Sequence, residues 1–235
     1  MAVSKEDKLI VPEHLGLILD GNRRWSKANG VSVDEGHRQG YENLKVISKA
    51  AFDMGVKYVS AYVFSTENWR RDPQEVKDIM SLSYWAFRNE VKAINKAGTR
   101  LRVLTARHKL SPKLLKAIEA AEQATKNNTN STILLCLDYG GQQEIVDAVK
   151  KINDSNIDSK DITAELISAN LYAPDVPPPD LIIRTSGEQR LSNFLTWQSV
   201  YSELMFEDKN WPDFSVKDLS LLLNKYSSLQ RRYGK

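Results

Sequence analysis

Asp20-Gly21-Asn22-Arg23-Arg24-Trp25 follows directly on an apolar run that contains Leu15, Leu17, Ile18 and Leu19. One carboxylate at the end of a buried strand, then a glycine, an amide and two guanidinium groups, is a compact set for handling a phosphorylated ligand. Guanidinium forks match phosphate oxygens two at a time, and glycine lets backbone N–H groups come close. Two further segments have the same form. Residues 57–64 are rich in β-branched and aromatic types and read as a strand. They run into Ser65, Thr66, Glu67, Asn68, Trp69, Arg70 and Arg71. Leu181-Ile182-Ile183 runs into Arg184, Thr185, Ser186 and Gly187, with Arg190, Leu191, Ser192 and Asn193 close behind. Alone, each segment is equally well explained by a capping Asp or a hydrated loop. A parallel sheet would bring all three strand ends to one edge, where open α/β sheets bind ligands. Three together point to a polyanion site.

The elements that must position these residues alternate along the chain. Strands are expected near 14–19, 57–64, 100–105, 131–138, 180–184 and 200–206. Helical patterns fill 22–29, 36–54, 74–97, 111–127, 141–153, 160–171 and 215–227. This alternation predicts an α/β fold: one domain over 1–235, a mostly parallel sheet of about six strands and helices on its flanks. Residues 1–13 read as a flexible N-terminal segment. The stretches 127–132 and 174–179 read as connectors, because apolar strands needed by the core flank both.

Hydrophobic residues at 41% and charged residues at 27% fit a soluble globular protein. A net charge of +3 gives no basis for a nucleic-acid partner. Cys136 is the sole cysteine, which rules out an internal disulfide and suits a reducing compartment. No apolar run approaches the roughly 20 residues that span a bilayer, and the first residues lack a signal-peptide pattern. The expected location is cytoplasmic, with at most peripheral membrane contact. Neither a Gly-x-x-x-x-Gly-Lys-Ser/Thr loop nor a Gly-x-Gly-x-x-Gly fingerprint occurs. His14, His37 and His108 lack metal-ligand spacing, so zinc is not expected.

With these blocks in hand, the chain resembles the cis-prenyltransferases, the undecaprenyl diphosphate synthase family, from about residue 14 to residue 234. The aspartate-rich motifs of the all-helical trans-prenyl synthases are absent, since no Asp-Asp pair occurs. The resemblance implies condensation of isopentenyl diphosphate onto an allylic diphosphate, with farnesyl diphosphate as the expected starter and Mg²⁺ as cofactor. It assigns the metal to Asp20 and Glu203, and catalysis to Asp20 and Asn68. Gly21, Asn22, Arg23, Arg24, His37 and Arg71 match the allylic diphosphate site, and Arg184, Arg190 and Ser192 the isopentenyl site. Trp25, Ser65, Thr66, Glu67, Trp69 and Leu191 complete the substrate-binding set, with Trp25 and Trp69 as expected walls against the isoprenoid. An amide is a poor base, so Asn68 is better suited to orienting the reactants or relaying a proton than to being the final proton acceptor. Arg232 and Gly234 resemble the family's terminal Arg-x-Gly, which reaches across a homodimer.

Two positions depart from the family pattern. Val33 stands where an arginine usually precedes the Gly-His histidine by four residues, and Gln142 replaces the arginine usual after Tyr-Gly-Gly. Val76, Ile79, Met80, Phe87, Val91 and Ile94 form one helical stripe, while Leu82 and Trp85 add apolar surface elsewhere. That pattern fits either core or a hydrophobic tunnel beside residues 59–63. The main expectation is a Z-polyprenyl product of medium length. A cis-farnesyl-type synthase with a short product is the alternative, and a non-catalytic partner subunit is a third reading. The third conflicts with the presence of Asp20, Asn68, Arg71, Arg184, Arg190 and Glu203.

Overall fold

A computed structural model describes residues 10–155 and 157–229. The strands β1 (His14–Ile18), β2 (Tyr58–Ser65), β3 (Thr99–Leu104), β4 (Ser131–Tyr139), β5 (Leu181–Arg184) and β6 (Glu203–Phe206) form one sheet. Its order is β3-β4-β2-β1-β5-β6, and every neighbouring pair is parallel. Every residue of β1 and β5 is buried, as expected of central parallel strands covered on both faces. The three strands whose ends carry the chemistry, β2, β1 and β5, are adjacent.

Eight helices cover the sheet among the described residues: α1 (Asn22–Asn29), α2 (Val33–Asp53), α3 (Pro73–Asn89), α4 (Val91–Lys96), α5 (Pro112–Thr125), α6 (Gly141–Asp154), α7 (Ala164–Ala169) and α8 (Val216–Ser227). Strand alternation divides the core. Leu15, Leu17, Val59, Ala61 and Ile183 pack with Ile47 of α2 and with Leu219 and Leu223 of α8. Tyr62, Leu134, Cys136, Ile182 and Phe194 form a separate cluster. A third joins Phe64, Leu101 and Leu137 to Ile79 and Phe87 of α3 and Ile118 of α5. Cys136 is fully buried, and burial pushes its thiol well above the ordinary range.

Local sequence starts the helices where capping chemistry asks. The Asp72 carboxylate accepts from the N–H groups of Gln74 and Glu75, with Pro73 at the first helical position of α3. Ser32 and Ser111 cap α2 and α5 by accepting from Glu35 and Leu114 N–H.

Three expectations are corrected. The single helix over 74–97 is two helices. Glu90, at φ −90° and ψ −15°, keeps a right-handed conformation but closes α3 and opens α4; its carboxylate lies 3.1 Å from Lys45 Nζ, and α4 packs on β3 and α5. Strand β6 begins at Glu203 rather than 200, because Val200 and Tyr201 lie in an exposed turn. Residues 10–13 are tied down: Ile10 N–H donates to Ser227 Oγ and Glu13 N–H to the Asp180 carboxylate. The rest of the segment expected to be flexible, 1–9, lies outside the described residues, as do Arg232 and Gly234.

Candidate active site

Strand β1 ends at Ile18 and delivers Asp20 to the carboxyl edge of the sheet. The backbone there is fixed, with Asp20 C=O accepting from Thr185 Oγ at 2.7 Å and from Trp211 N–H at 2.9 Å. One carboxylate oxygen faces Arg184 Nη2 at 2.9 Å and the other Arg24 Nη2 at 3.1 Å. Burial pushes the Asp20 carboxyl up, but the hydrogen bonds and charges of Arg184 and Arg24 outweigh it and hold it below the usual carboxylate range. Gly21 sits at φ 109°, and a Cβ there would come within 2.6 Å of Asn210 Oδ1. Only glycine suits that turn into α1.

Two groups of donors flank Asp20. On one side the buried Glu75 carboxylate gathers Arg71 at 2.9 Å, His37 Nε2 at 3.1 Å and Arg23 at 3.8 Å. Burial lowers the His37 pKa, with Glu75 opposing. On the other side, buried Arg184 donates through Nη1 to Arg190 C=O and to Ser192 Oγ. Its Nε, also buried, has no partner. Arg24, paired with Asp20 between the two groups, also reaches this side by donating to Ser186 C=O at 2.8 Å, and Glu188 pairs with Arg190 at 2.5 Å and with Arg24 at 3.7 Å.

Beside the Glu75 group, and running into Arg71, lies the 3-10 turn Thr66–Arg70, entered from the end of β2. Asn68 Oδ1 accepts from Ser65 N–H at 3.1 Å. A backbone N–H can only donate, so the amide oxygen of Asn68 is engaged there and its NH₂ remains as the free donor.

A cavity of about 640 Å³ opens at this edge. Its polar wall includes Asp20, Gly21, Asn22, Arg23, Arg24, His37, Ser65, Asn68, Arg71, Arg184 and Ser192. Leu44, Val63, Ile79, Leu82, Phe87, Leu135 and Leu137 supply apolar wall. Of the predicted stripe, Ile79 and Phe87 line this space. Val76, Met80, Val91 and Ile94 pack against the cluster behind it, while Leu82, expected on another face, is in the wall.

Several expected site residues lie elsewhere. The Trp25 indole donates to Asp213 at 2.8 Å and the Trp69 indole to Asp138 at 2.6 Å, and neither lines the cavity. Each ring has an N–H whose polar partner lies outside the cavity. Thr66, Glu67, Arg190 and Leu191 are also outside the lining. Thr66 donates to Glu67, Glu67 is held by Asn193, and Leu191 packs against the cluster around Phe194. Glu203 starts β6, in register with Leu181, which is itself in register with Leu15. It therefore lies at the amino end of the sheet, on the order of 15 Å from Asp20 along the strand direction. Within the chain the two are not brought together. Val33 opens α2 in an exposed position. Sequence reasoning missed Glu75 and Glu188, the acids that organise the cationic side chains. The i,i+4 spacing of Arg71 and Glu75 at a helix start was the available signal.

A parallel α/β sheet with cationic and amide donors gathered at the carboxyl edge, around one carboxylate and above an apolar cavity, defines a protein built to hold phosphorylated, lipid-like ligands. Comparison with known proteins narrows the class. The family model described as "Putative undecaprenyl diphosphate synthase" matches residues 18–234. The protein is 43% identical to an isoprenyl transferase of Thermotoga maritima over 95% of its length and 97% of the relative's. It is 43% identical to an isoprenyl transferase of Streptococcus pneumoniae, over 99% of its own length and 96% of that relative's. Lavandulyl diphosphate synthase from Lavandula x intermedia, solved in complex with dimethylallyl diphosphate, superposes with a TM-score of 0.91 at 32% identity. That match spans 96% of this protein and 99% of the other. A probable undecaprenyl diphosphate synthase from Campylobacter jejuni gives a TM-score of 0.81 at 26% identity, over 95% and 99% of the two proteins. The chain belongs to the undecaprenyl diphosphate synthase family of isoprenyl transferases.

Proposed function

We propose that this prenyltransferase condenses isopentenyl diphosphate onto an allylic diphosphate, farnesyl diphosphate being the starter, to give a Z-polyprenyl diphosphate of medium length. The observation that carries this reading is the cavity with two donor groups at one end, either side of Asp20, and an apolar wall beyond them. Two diphosphates and one growing hydrocarbon need that division.

Arg23, Arg24, His37 and Arg71, with Gly21 and Asn22, hold the allylic diphosphate. Arg184, Ser192 and, from the rim, Arg190 hold the isopentenyl diphosphate. The allylic C–O bond breaks and its electron pair leaves on the diphosphate oxygen. Cationic donors fixed in advance lower that barrier, because they meet charge that grows toward the transition state. The isopentenyl double bond supplies the electrons for the new C–C bond, and a proton then leaves the adjacent carbon. Asn68, its oxygen already bonded to Ser65, presents an NH₂ donor. It orients the reactants, and the released diphosphate accepts the proton.

Mg²⁺ fits this donor set as a metal shared with substrate. Among the described residues no group of three or more His, Cys, Asp or Glu could hold an ion alone. Mg²⁺ commonly takes one or two carboxylates, with phosphate oxygens and water completing the shell. Asp20, with a hard carboxylate at the cavity wall, would be its protein ligand, and bound Mg²⁺ would neutralise charge on the departing diphosphate. Glu203, at the opposite sheet edge, serves a metal only in the site of a second copy. The reading therefore includes a homodimer, in which Arg232 and Gly234 reach the partner's phosphate site.

A short product is the second reading, favoured by Val63 in the cavity wall. The test is turnover of radiolabelled isopentenyl diphosphate with farnesyl diphosphate and Mg²⁺, the products separated by length. Polyprenyl products, lost with a chelator and reduced at least a hundredfold in a folded Asp20→Ala variant, are expected from removal of a group that acts mainly in the transition state. Normal turnover in Asp20→Ala sinks the assignment.

A further inference from the structure

Asn193 belongs to none of the donor groups above, yet from the loop after one strand it bonds to the segments that follow two others. It stands in the 190–196 loop after β5, in the left-handed region at φ 68°, which asparagine tolerates better than most residues. Its side-chain NH₂ donates to Glu67 Oε1 at 2.9 Å, in the turn after β2. Its Oδ1 accepts from Gln142 N–H at 2.8 Å and its backbone carbonyl from Gly141 N–H at 2.8 Å, both at the start of α6 after β4. Thr196 Oγ donates to the same Oδ1 at 3.4 Å.

The cap of α6 is therefore supplied by a residue 51 positions away in sequence. Gly140, at the N-cap position, offers no cap bond of its own. Side chains from the turn after β2 and from the 190–196 loop lie directly against the two glycines that open α6. A Cβ on Gly140 would lie 2.7 Å from Asn193 Nδ2 and 2.7 Å from Thr66 Oγ, and one on Gly141 2.5 Å from Thr196 Oγ.

What the clasp joins matters. The Glu67 side carries the Ser65–Asn68 bond and Arg71, which belongs to the Glu75 group. The Asn193 side carries Ser192, bonded to Arg184 in the other group. Asp20 bonds Arg184 and Arg24, but the link between the Thr66–Arg70 turn and the 190–196 loop runs through Glu67 and Asn193. We propose that Asn193 is a positioning residue: its bond to Glu67 sets the spacing between the two donor groups, and so the alignment of the two bound diphosphates. The inference rests on the reading of the site given above.

One substitution separates this role from capping. Asn193→Asp keeps an acceptor for Gln142 N–H and puts negative charge at a helix start, where the dipole favours it. It also faces the Glu67 carboxylate with a second carboxylate and removes the donor between them. Loss of a charge-assisted bond and gain of repulsion predict a kcat fall of about tenfold or more at saturating substrates, with a smaller change in either KM. Backbone amide exchange should quicken over 66–71 and stay unchanged over 142–147.

Glu67→Gln combined with Asn193→Asp restores the bond with donor and acceptor exchanged. Its kcat is expected to recover to within about threefold of wild type, since an amide again donates to a carboxylate and the bond stays charge-assisted. Wild-type kcat in Asn193→Asp, or a double variant no faster than Asn193→Asp, overturns the clasp. Asp20→Ala assayed in parallel separates the two ideas. If Asp20→Ala is dead while Asn193→Asp is normal, the clasp alone fails. If Asp20→Ala is active, the site assignment fails, and quickened exchange over 66–71, reversed in the double variant, still decides whether the clasp exists.

Discussion

Asp20 is held between two arginines before any ligand arrives, one on each carboxylate oxygen. The arrangement favours the ionised carboxylate and fixes both guanidinium groups in the cavity wall. Pre-organisation of this kind lowers the side-chain entropy that binding would otherwise cost. His14 plays a different part at the far end of β1. It is 2% exposed, with Nδ1 2.6 Å from Pro177 C=O and Nε2 2.8 Å from Ser60 Oγ. Burial lowers its pKa from 6.5 to about 4, against the opposing pull of the Pro177 carbonyl and Asp180. A depressed folded value means that the unfolded state takes the proton first as pH falls. The stability contributed by neutral His14 is thus complete above pH 6.5 and is lost progressively toward pH 4. The loss is about 3 kcal/mol, from roughly 1.4 kcal/mol per unit. Urea unfolding of wild type and His14→Gln at intervals from pH 7 to pH 4 checks it. The stability difference between them should shrink by that amount, and a constant difference rules out a neutral buried His14.

At the scale of elements, the start of α1, proposed above to hold the allylic diphosphate, depends on how closely α2 approaches. Asn22 packs against two glycines of α2: a Cβ on Gly40 would lie 2.3 Å from Asn22 Oδ1, and one on Gly36 2.6 Å from the Asn22 carbonyl. Gly40→Ala must push the Asn22 side chain aside or part the helices. We expect destabilisation of ~1–3 kcal/mol, typical of overpacking, and a higher KM for the allylic substrate with little change in that for isopentenyl diphosphate. Thermal denaturation and steady-state kinetics together check it. Equal rises in both KM values would mean that α1 serves both sites. Nothing in the periodicity of residues 33–53 marks Gly40 as a contact, because a helical glycine reads only as a weak helix former. The break between α3 and α4 was equally hidden. The apolar spacing continues through Glu90, and Val91 and Ile94 still reach the cluster that Ile79 and Phe87 enter.

For the molecule as a whole, the cavity lies against the sheet with α2 and α3 supplying wall, and its extent bears on product length. Val63 lines it beside Leu135 and Leu137. Each isoprene unit adds about five carbons, or roughly 4 kcal/mol of burial. Overpacking costs of ~1–3 kcal/mol are comparable, so one side chain is able to shift the stopping point. Val63→Ala is expected to lengthen the product distribution by at least one unit and Val63→Phe to shorten it, read by chromatography of labelled products. Unchanged distributions in both active variants would place the ruler on α3, at Ile79, Leu82 or Phe87.

Residue types and their spacing settled the α/β class, the six strands and the convergence of three strand ends on one edge. Those features follow from local rules: a strand covered on both faces reads apolar throughout, and arginine beside hydroxyl and amide donors is unusual enough to stand out. Asp20, His37, Asn68, Arg71, Arg184 and Ser192 were all nameable from the sequence alone, and all line the cavity. Which way each side group faces was not. Trp25 and Trp69, both half-buried, give their indole N–H groups to Asp213 and Asp138, acceptors that lie 188 and 69 positions away in sequence. Glu203 is separated from Asp20 by sheet register, and the Glu67–Asn193 bond spans 126 positions. Such facts depend on strand order and loop closure, which sum over the whole molecule. Local sequence carries the chemistry of each group, and the tertiary fold decides which groups meet.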